Sequence, residues 1–281
     1  MGILIGLASA ILWGAAGVFG GLAARRLGGF RTIAFGMLAG LAVALPLALA
    51  TGTPGRTDPA ALAAVAAVAA FGLVGLFLVY AAMRRGSISV VAPISATYGG
   101  VAALLAIATG EPTSPFAIGG LALAVLGAVL AARGDSSAPG ATRGDLRVAA
   151  LLAGGAAVLW GIQLWLGAQV QDEVGPVWIA AGMRIAGVIA ISIPVLARAP
   201  RVVDRRALPL AMVAGVGEVF GFTLYLVASG YGVAQAAVLT GQYGTVAALI
   251  GVFVLKERLQ RVQVIGVGLI VIAVVLLALP G

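Results

Sequence analysis

Apolar residues in this chain come in long runs separated by short polar gaps. The runs lie at 2–22, 32–50, 60–82, 88–109, 116–132, 148–170, 176–197, 207–229, 233–255 and 262–279. A hydrocarbon core of about 30 Å needs roughly 17 to 25 residues of helix, so each run can span it. The pattern predicts an all-α membrane protein with ten transmembrane helices. Two boundaries are narrow: Met83-Arg84-Arg85-Gly86 divides the third run from the fourth, and Gly230-Tyr231-Gly232 the eighth from the ninth. One long polar connection, Arg133 to Asp145, separates five helices from five. The predicted organisation is a first repeat at 1–132, a cytoplasmic connecting loop at 133–147 and a second repeat at 148–281.

The two halves share more than a helix count. Tyr98 to Leu105 reads YGGVAALL and Tyr243 to Ile250 reads YGTVAALI, six of eight positions identical at an offset of 145. The same offset pairs Tyr80 with Tyr225, and an offset of 147 pairs Leu12-Trp13-Gly14 with Leu159-Trp160-Gly161. Five is odd, so the second copy must enter the membrane from the opposite side, which gives a 5+5 inverted-topology repeat. Two halves related by a pseudo-twofold axis in the membrane plane can exchange conformations around a midplane site, which points to transport by alternating access. Small-residue motifs such as Gly17-x-x-x-Gly21, Gly36-x-x-x-Gly40 and Gly217-x-x-x-Gly221 would also serve a merely tight bundle. A long inverted duplication in a loop-poor chain is, however, a poor design for an anchor.

Composition supports the membrane assignment and charge adds an orientation. With 62% apolar and 9% charged residues, the 281-residue chain has too little polar surface to cover a water-soluble globule. Fifteen of its 17 basic residues fall in the gaps after the first, third, fifth, seventh and ninth runs; the even gaps hold only Arg56, and Arg184 lies inside a run. The positive-inside rule makes the odd gaps cytoplasmic and both termini external. A net charge of +8 distributed this way flanks lipid and forms no nucleic-acid patch. The apolar stretch from Gly2 to Ala24 lacks a basic start and is long enough to remain as a spanning helix. With neither cysteine nor histidine, the chain has no disulfide, no thiolate chemistry and no imidazole base or ligand, and no cofactor or metal is expected.

Rise per residue turns position into depth. Glu218 lies roughly 15 Å into the eighth helix and Arg184 roughly 12 Å into the seventh, both near the bilayer centre. A charge there costs about 2.5 to 3.5 kcal/mol on insertion scales, so both should face the bundle interior. Arg184 suits a substrate carboxylate, and Glu218 a substrate ammonium or a coupling proton; alternatively the two form a structural ion pair. Trp13, Tyr98, Trp160, Gln242 and Tyr243 lie at a similar level, roughly 15 to 18 Å along their helices. Gln163 and Gln242 each carry an amide that must find a partner in hydrocarbon. The predicted substrate-binding set is therefore Arg184, Glu218, Trp13, Tyr98, Trp160, Gln163, Gln242 and Tyr243. Glu111 and Glu257 precede the fifth and tenth helices, where capping and loop closure are the expected roles.

These residues together resemble a known family. The Leu-Trp-Gly of the first and sixth helices, Arg184 inside the seventh, and LIGVFVLKERLQRVQVIGVGLIVIAVVLL from Leu249 to Leu277 are similar to EamA-type members of the drug/metabolite transporter superfamily. Glu257, Arg258, Gln263 and Gly266 fit the family's turn and last helix, as do Gly110 and Glu111 in the first copy. The resemblance implies ten helices, a cavity between the halves, and export of small organic solutes such as amino acids. The chain departs from the pattern at Lys256, at Pro112-Thr113 and at Leu38, which holds the first-copy place of Arg184. Many relatives keep both termini in the cytoplasm, whereas the charge distribution here places them outside.

The expected function is secondary active export of small metabolites across the cell (inner or plasma) membrane, with proton coupling through Glu218. An exporter of organic cations or drugs is the alternative within transport. A non-transporting scaffold would usually carry a soluble domain or sizeable tail. An enzyme is not expected: His-Glu-x-x-His, paired intramembrane aspartates and Gly-x-Ser-x-Gly do not occur. No ATP-binding motif is present. Expected partners are a small-molecule substrate and lipid, with the chain a monomer or a weak homodimer through its small-residue fifth and tenth helices.

Overall fold

The computed structural model describes residues 1–83, 94–113, 115–131, 143–198, 204–243, 245–246 and 261–278. Among these, all regular structure is helical. The helices are α1 (Gly2–Leu27), α2 (Gly29–Ala50), α3 (Pro59–Met83), α4 (Tyr98–Ala108), α5 (Pro115–Ala131), α6 (Arg143–Val174), α7 (Pro176–Gly187, then a π turn Val188–Ser192, then Ile193–Arg198), α8 (Leu208–Ser229), α9 (Val233–Thr240) and α10 (Arg261–Ala278). Six of them, α1, α2, α3, α6, α7 and α8, are long and apolar enough to cross a membrane. The first part of the fourth predicted run and the end of the ninth, with Glu257, lie outside the described residues.

Punctuation follows local chemistry. Asp58 precedes Pro59 and accepts the N–H groups of Ala60 (3.0 Å) and Ala61 (3.3 Å), the side-chain cap that opens α3. Gly175 breaks α6 from α7 at φ 98°, a left-handed value that disfavours a side chain. Within α7, Pro194 lacks an N–H, and the π turn just before it widens the ladder where the ring would crowd the preceding carbonyls.

Packing exchanges partners between the repeats. α1 lies along α8 and α6 along α3; α1 also meets α9 as α6 meets α4. α2 crosses α7, α4 crosses α9 and α5 pairs with α10. Each of these pairs has its counterpart five helices on, or is its own counterpart. Glycine sets the close approaches. A Cβ at Gly14 would lie 2.7 Å from Val246 Cβ and 2.9 Å from the Tyr243 carbonyl; one at Gly161 would lie 2.6 Å from Val101 Cβ and 3.0 Å from the Tyr98 carbonyl. The repeated Leu-Trp-Gly of one half therefore seats against the repeated Tyr-Gly-x-Val of the other.

Continuous helices over 88–109 and 233–255 are the sequence expectation, and the structure differs. Turns at Ala96–Thr97 and at Gly241–Gln242 interrupt the two runs immediately before Tyr98 and Tyr243. α4 and α9 cross here so tightly that a Cβ at Gly99 would sit 2.6 Å from the Ala237 carbonyl and one at Gly241 3.6 Å from Gly99 Cα, and Pro93 precedes the first of the two turns by three residues. Interrupted helices at a repeat interface are a recurrent feature of transporters.

On the side where α6 ends and α9 begins, contacts tie the halves together. Glu111 accepts hydrogen bonds from the N–H groups of Val233 (3.0 Å) and Ala234 (3.2 Å), capping α9 from the other repeat. Replacing Glu111 with Ala should lower stability by about 1 kcal/mol, the usual cost of a lost helix cap. Thermal melting in detergent checks this, and an unchanged midpoint contradicts it. Arg56 pairs with both Asp58 and Glu173. The hydrogen bond from Arg56, then the Ala60 and Ala61 N–H groups, hold the Asp58 carboxyl below its usual value. A lowered folded-state value adds stability above the unfolded-state value that fades as pH falls through the folded one. The melting difference between wild type and Asp58→Asn should therefore be small at pH 7, because the pair is solvent-exposed, and should vanish in acid. A difference that grows in acid contradicts it.

Candidate functional site

Where the two breaks meet, aromatic rings from both repeats converge on Tyr98. Tyr243 stacks on it at 5.9 Å between centroids, Trp160 meets it edge-on at 6.0 Å, and Trp13 does so at 6.3 Å. Phe222 from α8 stacks on Trp13 at 6.5 Å. Such rings supply rigid apolar area together with electron-rich faces. The tryptophans are anchored alike: Trp13 Nε1 donates to the Glu218 carbonyl (3.3 Å) and Trp160 Nε1 to the Gly72 carbonyl (3.1 Å). Gly221 and Gly75 make room for them, since a Cβ at either would fall 2.5 to 2.6 Å from the indole.

Glu218 brings the charge. Its side chain is 49% exposed, whereas that of Arg184 is 7% exposed. At 100° per residue, the exposed apolar residues Met212, Val213, Phe220 and Val227 stand about 120° to 180° round α8 from Glu218. The carboxylate thus opens away from the lipid face, on the side that also carries the buried Phe222 and Tyr225. The Glu218 backbone carbonyl accepts the Trp13 indole N–H, and Trp13 in turn meets Tyr98 edge-on, which places Glu218 on the helix that borders the aromatic cluster. Arg184 stands behind the carboxylate, its Nη2 3.8 Å from Glu218 Oε2, an ion pair beyond direct hydrogen-bonding distance. Its Nη1 points to Met37 Sδ at 3.2 Å, and Gly40 leaves space for its stem. An accessible acceptor-only anion beside π faces is suited to an ammonium group.

The glutamines divide. Gln163 is 7% exposed, its Nε2 3.6 Å from Met183 Sδ, and it fills the space in front of Gly72. Gln242 turns toward α5: its Nε2 donates to the Val238 carbonyl (3.0 Å) and reaches the Ala124 carbonyl at 3.5 Å. The structure therefore brings Trp13, Tyr98, Trp160, Tyr243, Glu218 and Arg184 together, sets Gln163 at their edge and places Gln242 apart. Sequence reasoning missed Phe222, four residues from Glu218 on the same helical face, and Met37, whose thioether lies against Arg184. Tyr225, noted only as a repeat partner, donates its hydroxyl to the Leu164 carbonyl at 2.9 Å and locks α8 to α6. A separate cavity of about 230 Å³ lies among Thr51, Gly55, Glu173 and Trp178, away from the aromatic cluster and among solvated carboxylates.

Comparison with known proteins agrees with this architecture. A crystal structure described only as that of a protein matches at a TM-score of 0.81 with 20% identity, over 99% of this chain and 98% of its own. That likeness concerns the fold. No curated protein matches the chain. The profile of the EamA-like transporter family matches twice, over residues 1–133 and 147–279. With two copies covering nearly the whole sequence, the chain belongs to the EamA-like transporter family, within the drug/metabolite transporter superfamily.

Proposed function

We propose that this chain is a secondary active transporter that exports small amphipathic metabolites bearing an ammonium group, amino acids among them. In this reading ten helices form a 5+5 inverted repeat, and alternating access takes place around the aromatic cluster at the α4–α9 crossing. The observation that carries it is the half-exposed Glu218 carboxylate, turned away from the lipid face on the helix whose residue 218 carbonyl and Phe222 ring hold Trp13 of the aromatic cluster. Substrate ammonium and a proton compete for that one carboxylate, and such competition couples their movements. The exchanged pairing of α1 with α8 and α6 with α3 supports the inverted repeat, and the basic residues in the odd gaps support external termini.

A thermal-shift screen of purified protein against amino acids, amines and organic cations, with wild type and Glu218→Gln at two pH values, tests the reading. Stabilisation of wild type that is lost in the variant and weakens toward acid is expected. Equal stabilisation of both proteins would falsify the site. A second reading, export of organic cations, is favoured by the burial of Arg184, which leaves a carboxylate as the accessible charge. Amino-acid esters that bind at least as tightly as the free amino acids would decide for it.

A further inference from the structure

Arg184 is buried, yet its Nη2 stays 3.8 Å from the Glu218 carboxylate. A charged N–H donor in direct contact with a carboxylate sits at about 2.7 to 2.9 Å, so the pair stops roughly 1 Å short of a hydrogen bond. What holds the guanidinium back comes from α2. Met37 and Gly40 are three residues apart and share one face of that helix. Gly40 seats the arginine stem, since a Cβ there would lie 3.1 Å from Arg184 Cδ. Met37 takes the head: its Sδ accepts from Arg184 Nη1 at 3.2 Å. The sulfur is itself located by α7, because a Cβ at Gly187, three residues beyond Arg184, would lie 2.6 Å from it. A thioether is a weak acceptor beside a carboxylate, but here it is the nearer of the two.

We infer that Met37 is a positioning residue of the substrate site: its thioether holds Arg184 a step short of Glu218 and so keeps the carboxylate open to an ammonium group. This deepens the reading of Glu218 as the ammonium partner and rests on it. A guanidinium that closed on Glu218 would occupy the oxygen and offset the charge that the substrate needs. Held at 3.8 Å, Arg184 leaves those oxygens free, in keeping with the 49% exposure of the Glu218 side chain. Methionine suits the task, being long and unbranched enough to rest on Gly187 while presenting a soft acceptor to the guanidinium.

The test reads the dissociation constant for methylammonium from the concentration dependence of the melting midpoint of the full-length protein. Met37→Leu keeps the apolar volume and removes the acceptor, so Arg184 is released toward Glu218 and binding should weaken by about fivefold, the scale of one hydrogen bond changing hands. Met37→Gln, similar in length and a stronger acceptor, should bind at least as tightly as wild type, whereas a pure packing role would make the polar amide the worse of the two. In an Arg184→Met background there is no guanidinium to release, and adding Met37→Leu should change the constant by less than about twofold. The two Met37 variants decide the matter even where Arg184→Met does not fold. Wild-type binding by Met37→Leu, weaker binding by Met37→Gln than by Met37→Leu, or an equal loss from Met37→Leu in both backgrounds overturns the inference while Glu218 remains the ammonium partner. If Glu218→Gln binds methylammonium as wild type does, or wild type does not bind it, the ammonium reading itself fails and this inference with it.

Discussion

Glu218→Gln should abolish transport and weaken ammonium binding by about tenfold to a hundredfold, the worth of a hydrogen bond to a charged group. The same change leaves Arg184, 7% exposed, without its one carboxylate neighbour among the described residues. Arg184 is the buried partner of the two, so removing Glu218 strands its charge at a cost that removing both side chains would avoid. The variant should therefore also melt earlier than wild type, and Arg184→Met combined with Glu218→Gln should recover part of that loss without recovering binding. Melting curves and ligand titrations on the three variants separate the two roles. If the double variant is less stable than Glu218→Gln alone, Arg184 has a further partner and the pair is not the unit described here.

The second large effect is on folding. A Cβ at Gly215 would lie 2.0 Å from the Gly36 carbonyl oxygen and 2.5 Å from Gly36 Cα, so α8 and α2 touch backbone to backbone. Bilayer helices associate through such close approach, since lipid tails are as apolar as leucine and offer no hydrophobic gain. Gly215→Leu must push the two helices apart and should cost at least about 3 kcal/mol, at the upper end for overpacked contacts. We expect little monodisperse protein in detergent and a sharply lower melting midpoint. Gly17→Ala supplies the contrast, because nothing lies within 4 Å of a Cβ there and alanine is the better helix former. Wild-type melting of Gly215→Leu would contradict the packing described.

Much of this was legible in the order of residues, for a physical reason. Membrane spans must be apolar along their length, so runs and gaps mark helices directly, and a duplication preserves the phrases that the crossings require. Leu-Trp-Gly and Tyr-Gly-x-Val were visible as repeats. Their mutual contact, Gly14 on Val246 and Gly161 on Val101, was not, because it joins one half to the other. The break before Tyr98 follows Pro93 by three residues, a breaker visible in the sequence, whereas the break before Tyr243 has no proline near it and goes with the backbone crossing at Gly99. Depth along a helix placed Glu218, Arg184 and the central aromatics at one level but carried no azimuth. Gln242 therefore shared their level yet faces α5, and Arg184 proved buried behind the carboxylate it was expected to stand beside as an equal.

The central claim is that the Glu218 carboxylate is where substrate and proton exchange places. The most direct test is uptake of a labelled amino acid or amine, chosen from the ligands that stabilise the protein, into proteoliposomes holding wild type or Glu218→Gln, with and without an imposed pH gradient. Wild type should show uptake that the gradient accelerates, and the variant none under either condition. Gradient-driven uptake by Glu218→Gln at the wild-type rate would contradict it.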